Sequence, residues 1–597
     1  MKIRSTAILF ACAVLVSPIF SGAQENQPYG EVLNVRVTNV DIVAVDAKGN
    51  RIKGLTAADF ELFEDGRKQE ITNFAEVTPD QPKPAETPAA EPVVVVNETS
   101  LTETNASPTG RSYIFYIDNG TLSFRNRDEI FTGINRFVGA MKPEDQVTIV
   151  NWNGSLHVRV PWTNDRALID ATLKTLAGEL GSAGIRQAEK QRIFQTLRQF
   201  ESEAIDNTGK RATAPGMTYE VVESEVRTYA ENVYHDIDQS MTALTKLLAS
   251  LSGVPGKKVL ILATESLPTQ AAAEVFQVFE NIRQRSVIPQ GALGGLMPDP
   301  GADSQNPVGV TTTLKADSRT ATPIGDLGRY NVSKLIEGLA RVANATGVTV
   351  YAINPKGTSG SNEGTAGLQD APESTVSFAE SAQVLDGVNL LAVRTGGVAF
   401  VGAPADVALT KMQADLDSYY SIGYRASAGK SRDRKILVRS KRPGVTVRHP
   451  SSIYYRSLAT EMTDRVISNH LQTSIDNPLG IGLQAEAVKT EGTQQLLPLY
   501  VVIPVDSLTL VRDDKGNMTG GFSVFTSTGD LDGAAKGTDI QSRRIQWSEP
   551  EAAQMKGRKL AFAVKVPMNA HPKQVSVGVI DHVSHTEGFA LMKLAQN

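Results

Sequence analysis

Asp118 closes a short apolar run, YIFYID over residues 113–118, and Asn119-Gly120-Thr121-Leu122-Ser123 follow before an amphipathic stretch begins. A carboxylate at the end of a strand, with hydroxyl side chains in the next loop, can offer oxygen to a hard divalent cation. Metal binding at Asp118 is therefore the first chemistry to weigh. Other constellations offer less. His582 and His585 in DHVSH have a spacing that could serve a metal, but no third ligand stands nearby, and turn polarity explains them better. Gly253-Val254-Pro255-Gly256-Lys257 lacks the length of a phosphate loop and follows a helix pattern instead of a strand. Arg512-Asp513-Asp514-Lys515-Gly516-Asn517 reads most simply as a hairpin turn. The sequence holds no glycine-framed serine elbow of the kind hydrolases use.

The elements that must position Asp118 are legible in the periodicity. After its strand, Ile130, Phe131, Ile134, Phe137, Val138 and Met141 recur at helical spacing. QVTIVNW and HVRVPW then flank Asn153-Gly154 as two strands around a tight turn. A helix over 166–176 and a long one carrying Val222, Val226, Tyr229, Val233, Ile237, Met241, Leu244, Leu248 and Leu251 come next, the latter stopped by Gly253 and Pro255. KKVLILATES, VTVYAINPKG and GGVAFV alternate with helices around 273–283, 332–345, 378–394 and 404–416. Such alternation predicts a mostly parallel sheet covered by helices on both faces.

Around this unit the composition changes. Residues 31–76 alternate like a small β unit, with turns at Lys48-Gly49-Asn50 and Glu64-Asp65-Gly66. Residues 79–110 are rich in Pro, Ala, Thr and Glu and read as a linker. Polar or Gly/Pro-rich segments at 179–225, 286–328 and 356–374 interrupt the α/β pattern as insertions. Beyond residue 495, about five alternating runs without helices suggest a β-sandwich. The expected organisation is a signal peptide (1–23), an N-terminal β unit (24–78), the linker (79–110), an α/β domain (111–425), a β extension (426–458) and a C-terminal sandwich (459–597).

At 597 residues and 41% hydrophobic content the chain is too long for one domain and can bury a sizeable core. Lys2 and Arg4, the apolar run from Ala7 to Phe20 and Ser21-Gly22-Ala23 read as a secretory signal, with cleavage after Ala23 and a periplasmic or extracellular destination. The single cysteine, Cys12, lies inside that apolar run, so lipoprotein anchoring is not expected and the mature chain has no thiol chemistry. No later stretch is long and apolar enough to span a bilayer. Removing residues 1–23 takes away Lys2 and Arg4 and moves the formal net charge from −5 to −7, which argues against nucleic acid as a partner.

Several phrases in order resemble one family: DIVAVDAKGNRIKGLTAADFELFEDGRKQEITNF, YIFYIDNGTLSF, GKKVLILATES, TVYAINPKG, VRTGGVAFV and DLDSYYSIGYRASAGKSRDRKILVRSKRPGVTVRHPSSIYYR. The region 31–456 resembles the von Willebrand factor type A domains, and more narrowly the related domain family named after Acidobacteria. The resemblance implies an α/β, doubly wound, Rossmann-like sheet and, in metal-binding members, an Asp-x-Ser-x-Ser motif after the first strand. Here Asp118 matches the aspartate, while Gly120 and Leu122 stand where the serines should be. The hydroxyls of Thr121 and Ser123 are one position out of register. Glu265, in Ala263-Thr264-Glu265-Ser266, stands in for a second acidic ligand, and Thr228 is the nearest match to the expected threonine. The candidate metal set is thus Asp118, Thr121, Ser123 and Glu265, a degenerate site for Mg²⁺ or Ca²⁺ at which no cofactor is expected. Asp118, Glu265 and the loop after Asn354 should emerge beyond the carboxyl ends of the strands, where a protein partner could bind through loops alone. The expectation is an exported protein-binding or scaffolding protein; the alternative is a hydrolytic enzyme whose site the inserted loops assemble.

Overall fold

A computed structural model describes residues 36–78, 110–204, 219–254, 256–287, 327–355, 386–426, 432–455, 457–471, 477–492, 494–529, 535–568 and 572–594. The signal segment with Cys12, linker residues 79–109, residues 288–326 of the second insertion and the whole of 356–374 lie outside the described residues. Among the described residues no helix is long and apolar enough to cross a membrane.

The chain opens with β1 (Arg36–Val45), β2 (Phe60–Glu64), β3 (Arg67–Gln69) and β4 (Ile71–Val77). The turn after β1 is built by Asp46, whose Oδ1 accepts from the backbone N–H of Lys48 and of Asn50, both at 2.8 Å. Asp65 and Gly66, with φ of 48° and 80°, form the left-handed turn between β2 and β3.

The α/β unit follows. Its first strand, β5 (Ser112–Asp118), is buried at every position, as a central parallel strand must be. Then come α1 (Phe124–Ala140), β6 (Gln146–Trp152), β7 (Leu156–Thr163), α2 (Arg166–Ala177), α3 (Ala183–Ala204) and α4 (Tyr219–Ser250). Asp165 starts α2 by accepting from the N–H groups of Ala167 and Leu168. After β8 (Lys258–Ala263) come α5 (Ala273–Val287), α6 (Ser333–Ala345), β9 (Val348–Asn354), α7 (386–394), β10 (Ala399–Val401) and α8 (Ala405–Asp417). The strand order is β10-β9-β8-β5-β6-β7, parallel except for the antiparallel edge strand β7. Ile114, Tyr116, Val150, Leu260 and Leu262 face one layer of helices that includes α4, α5 and α6, and Phe115, Ile117, Ile149, Ile261 and Ile353 face α1, α2 and α8. The protein is thus an α/β doubly wound fold with a mostly parallel sheet.

The next strands, β11 (Tyr419–Ala426), β12 (Arg432–Ser440), β13 (Thr446–Arg448) and β14 (Ser452–Tyr455), do not extend that sheet. β11 lies between β1 and β4, and β12 pairs with β2. Two four-stranded sheets, β13-β1-β11-β4 and β14-β12-β2-β3, close over Ile42, Phe60, Leu62, Tyr420, Ile422 and Val438. The sequence pattern alone separates 24–78 from 426–458 and assigns residues 419–425 to the α/β domain. The structure differs because neither end alone has enough strands to cover an apolar face; together they enclose a core. The α/β unit is therefore inserted between β4 and β11. Ion pairs hold the two together at the amino ends of the parallel strands: Lys257 with Asp41 (3.2 Å) and Arg448 with Asp415 (2.8 Å). Asp118 lies at the opposite edge of the sheet.

The C-terminal region is β-rich, with sheets built on Gln494–Pro504 and Met518–Gly529 packed over Leu499, Val501, Val524, Val564 and Val577. It also carries helices that the strand-only reading missed. In α9 (Leu458–Ser468), Met462 and Val466 sit four apart and pack on Phe525, Ile580 and Phe589, and Ser457 caps the start by accepting from Thr460 N–H. Two apolar residues make too short a stripe to stand out in the sequence. The sheet supplies the other half of the contact.

Candidate functional site

Asp118 is the last residue of β5 and points to the α4 side of the sheet, the side taken by Tyr116 two residues earlier. It is buried, with 8% of its surface exposed. Its Oδ2 accepts from the hydroxyls of Thr121 (2.7 Å) and Thr264 (2.8 Å), and its Oδ1 accepts from Gly120 N–H (3.1 Å). Burial pushes its carboxyl pKa up, and the two threonine hydroxyls, the nearby Arg186 guanidinium and the Gly120 N–H pull the other way.

Glu265 is turned away from this carboxylate. Side chains alternate along a strand, so Thr264 continues the Leu260–Leu262 face toward Asp118 while Glu265 emerges on the α1 side. There its Oε1 accepts from Ser123 N–H (2.7 Å), Ser123 Oγ (2.7 Å) and Asn126 Nδ2 (2.9 Å). The four expected residues therefore form two separate hydrogen-bonded groups, Asp118 with Thr121 and Glu265 with Ser123, linked only by Thr121 Oγ1 accepting from Glu265 N–H at 3.2 Å. Leu122, in the place of the second serine, is a core residue packed among Ile117, Ile130 and Ile134. Thr228 lies on α4 with its hydroxyl bonded to Ser224 O, away from the site.

Two residues here escape a reading by spacing. Thr264 supplies the hydroxyl that the motif lacks, and strand parity is the signal that could have pointed to it. Arg186 comes from α3, inside the first insertion, and its Nη2 lies 3.1 Å from Asp236 Oδ2 on α4. A narrow cleft between them is lined by Tyr116, Asp118, Trp152, Arg186, Asp236 and Ser240, with the Tyr116 hydroxyl 2.7 Å from Ser240 Oγ. The insertion is thus not a loose appendage: Ile193 and Leu197 of α3 join the sheet's core, and Gly181 sits so close to the Asp118 loop that a Cβ would fall 2.6 Å from Asn119 O.

A divalent ion of the Mg²⁺ class needs about six oxygens converging on one point. The donors here do not converge. Asp118 spends both oxygens on internal donors, Glu265 caps α1, a guanidinium stands beside Asp118, and among the described residues no three His, Cys, Asp or Glu side chains form a metal-holding group. The residues as arranged do not fit the ion.

The rim of this edge is apolar. Phe124 (64% exposed), Leu180 (88%) and Ile185 (66%) emerge from segments that touch one another. Arg127 lies 5.2 Å from the Phe124 ring centroid and donates to Ala177 O, while Leu180 O accepts from Asn153 Nδ2 at the β6–β7 turn. The histidines singled out in the sequence are elsewhere: His582 Nε2 is 2.8 Å from Ser523 Oγ, and His585 occupies a left-handed turn at φ 55°. Asp513, accepting from Lys515 and Asn517 N–H, shapes the turn before Met518–Gly529.

No family model matches the sequence, and no curated protein matches it. Solved structures similar to it include an aerotolerance-related membrane protein from Bacteroides fragilis (10% identity, 52% of this chain and 98% of that one, TM-score 0.21). The vWF domain of the type V pili tip protein Mfa5 from Porphyromonas gingivalis is also similar (11% identity, 52% and 95%, TM-score 0.23). So is the PilB minor pilin from Streptococcus sanguinis (10% identity, 63% and 86%, TM-score 0.23). At these scores the likenesses carry no weight of their own, and the doubly wound fold rests on the pairing and order of its strands.

Proposed function

We propose that the protein is an exported binding or scaffolding protein, related to the von Willebrand factor type A domains, that holds a protein partner on the Asp118 edge of its α/β sheet without a bound ion. One observation carries this reading: Phe124, Leu180 and Ile185 expose large apolar side chains on segments that meet around that edge. Clustered exposed apolar groups cost solvation unless another surface covers them, and aromatic and aliphatic anchors of this kind supply most of the energy at protein interfaces. The edge faces away from the β-sandwich that holds the domain, so a partner can approach it unobstructed by that tether. Carboxylates and hydroxyls at the centre of the edge serve to hold the loops that present these side chains.

The test is comparative capture from an envelope extract of the source cell. Leu180→Asp and Phe124→Ser should lose bands that the wild-type chain retains, while Val511→Asp, at an exposed apolar position in the C-terminal region (51% exposed), should keep them. Equal retention by all four chains would sink the assignment of the face.

A further inference from the structure

We propose that the Arg186 guanidinium is the built-in cation of the Asp118 pocket, delivered by the insertion in place of a bound ion, and that Gly120 is a glycine in order to admit it. The cleft presents two carboxylates, Asp118 from β5 and Asp236 from α4. Arg186 lines the same cleft, with Nη2 3.1 Å from Asp236 Oδ2. Gly120 completes the arrangement. A Cβ built there would fall 3.1 Å from Asp118 Oδ1, 3.3 Å from Arg186 Nη2 and 3.4 Å from Arg186 Cζ, tighter than side chains ordinarily pack. Gly120 is not among the glycines with positive φ, so its backbone does not demand glycine. The demand comes from its neighbours. A buried carboxylate needs a compensating charge, and a planar guanidinium provides one without the six-oxygen shell of a hard ion.

The substitution couples three features that look unrelated in the sequence: glycine at 120, arginine at 186 and the closure of the insertion over the sheet edge. Arg186 sits one turn from Lys190, whose Nζ is 3.2 Å from Glu274 of α5, and two turns from Ile193 in the core. The charge that neutralises the pocket therefore also fastens the insertion. Two carboxylates against one guanidinium leave the cleft without surplus positive charge, so an acidic group from a partner has nothing to complete there. This holds whether or not a partner docks on the rim.

The experiment is a double-mutant cycle on the full chain, read by thermal melting in EDTA and in about 10 mM Mg²⁺ or Ca²⁺. Gly120→Ser should lower the melting temperature of the wild type and cost clearly less in an Arg186→Gln background, where the flat guanidinium is gone. Arg186→Gln should melt lower than the wild type, and neither chain should move with the ion, because the oxygens do not converge on one point with or without the guanidinium. Additive effects of the two substitutions would overturn the proposal, and so would an Arg186→Gln chain as stable as the wild type, or a wild type that the ion stabilises. Should Arg186→Gln fail to fold, Arg186→Lys carries the same cycle. It keeps a charge without the guanidinium plane, so it should tolerate Gly120→Ser and stay unresponsive to the ion; the opposite result on either count overturns the proposal.

Discussion

Glu265 Oε1 lies 2.7 Å from both the backbone nitrogen and the hydroxyl of Ser123, so the side chain closes the amino end of α1 from the end of the neighbouring strand β8. Ser123 is the N-cap of that helix, yet its own side chain caps nothing within it. The carboxylate takes over, satisfying a group that a helix start leaves free and placing negative charge at the positive end of the helix dipole. Glu265→Ala should therefore destabilise the α/β domain by about 1–2 kcal/mol even in EDTA. Chemical denaturation reads this directly. A loss seen only when divalent ion is present would return Glu265 to the role of a ligand.

A second prediction concerns the sandwich made from both flanks of the α/β unit. Arg434 of β12 and Glu64 of β2 pair at 2.6 Å with 5% and 6% of their side chains exposed, and the Tyr424 hydroxyl of β11 donates to the same Glu64 oxygen at 3.2 Å. Removing one partner strands a buried charge. Glu64→Ala should cost about 3–5 kcal/mol, whereas Glu64→Leu combined with Arg434→Met should recover most of the loss. Urea titrations of the three chains check this, and a cost below about 1 kcal/mol for Glu64→Ala would show that water reaches the pair.

His470 sets a pH dependence in the C-terminal region. It is buried, Gly529 lies against its ring, and its Nε2 is 3.4 Å from Ser527 Oγ. Burial lowers its pKa from 6.5 to about 4, only partly offset by a hydrogen bond that the ring donates to the Ser527 backbone. The folded chain therefore refuses a proton that the unfolded chain accepts below pH 6.5. Stability from this residue is intact above pH 6.5 and falls as the pH drops toward 4, by up to about 3 kcal/mol. Melting curves across that range should show the loss, and His470→Gln should flatten it. An unchanged slope in the variant would assign the effect elsewhere.

The alternation of strand and helix around Asp118 was legible because each element carries its own apolar period. The register of the site was legible only in part. Gly120 and Leu122 announce that two hydroxyls are missing, but nothing local says what replaces them. Leu122 turns into the core, where the pattern of its neighbours Ile117 and Ile130 accounts for it. Arg186 reaches Gly120 from a polar insertion, through a contact that no spacing within either segment encodes. The chemistry of Glu265 suggests a second acidic group, whereas period-two alternation along β8 favours Thr264. The joining of β1 and β4 with β11 was hidden for a similar reason, since the partners Val40 and Ile422 stand far apart in the chain and either run alone looks like a complete small β unit.

Retention of the partner by immobilised full chain, compared in EDTA and in excess Mg²⁺ and Ca²⁺, tests the ion-independent binding face most directly. The wild type should hold the same bands in all three conditions, and Leu180→Asp should hold them in none. Bands that the wild type keeps only with an ion present, and that a folded Asp118→Asn chain loses, would contradict it.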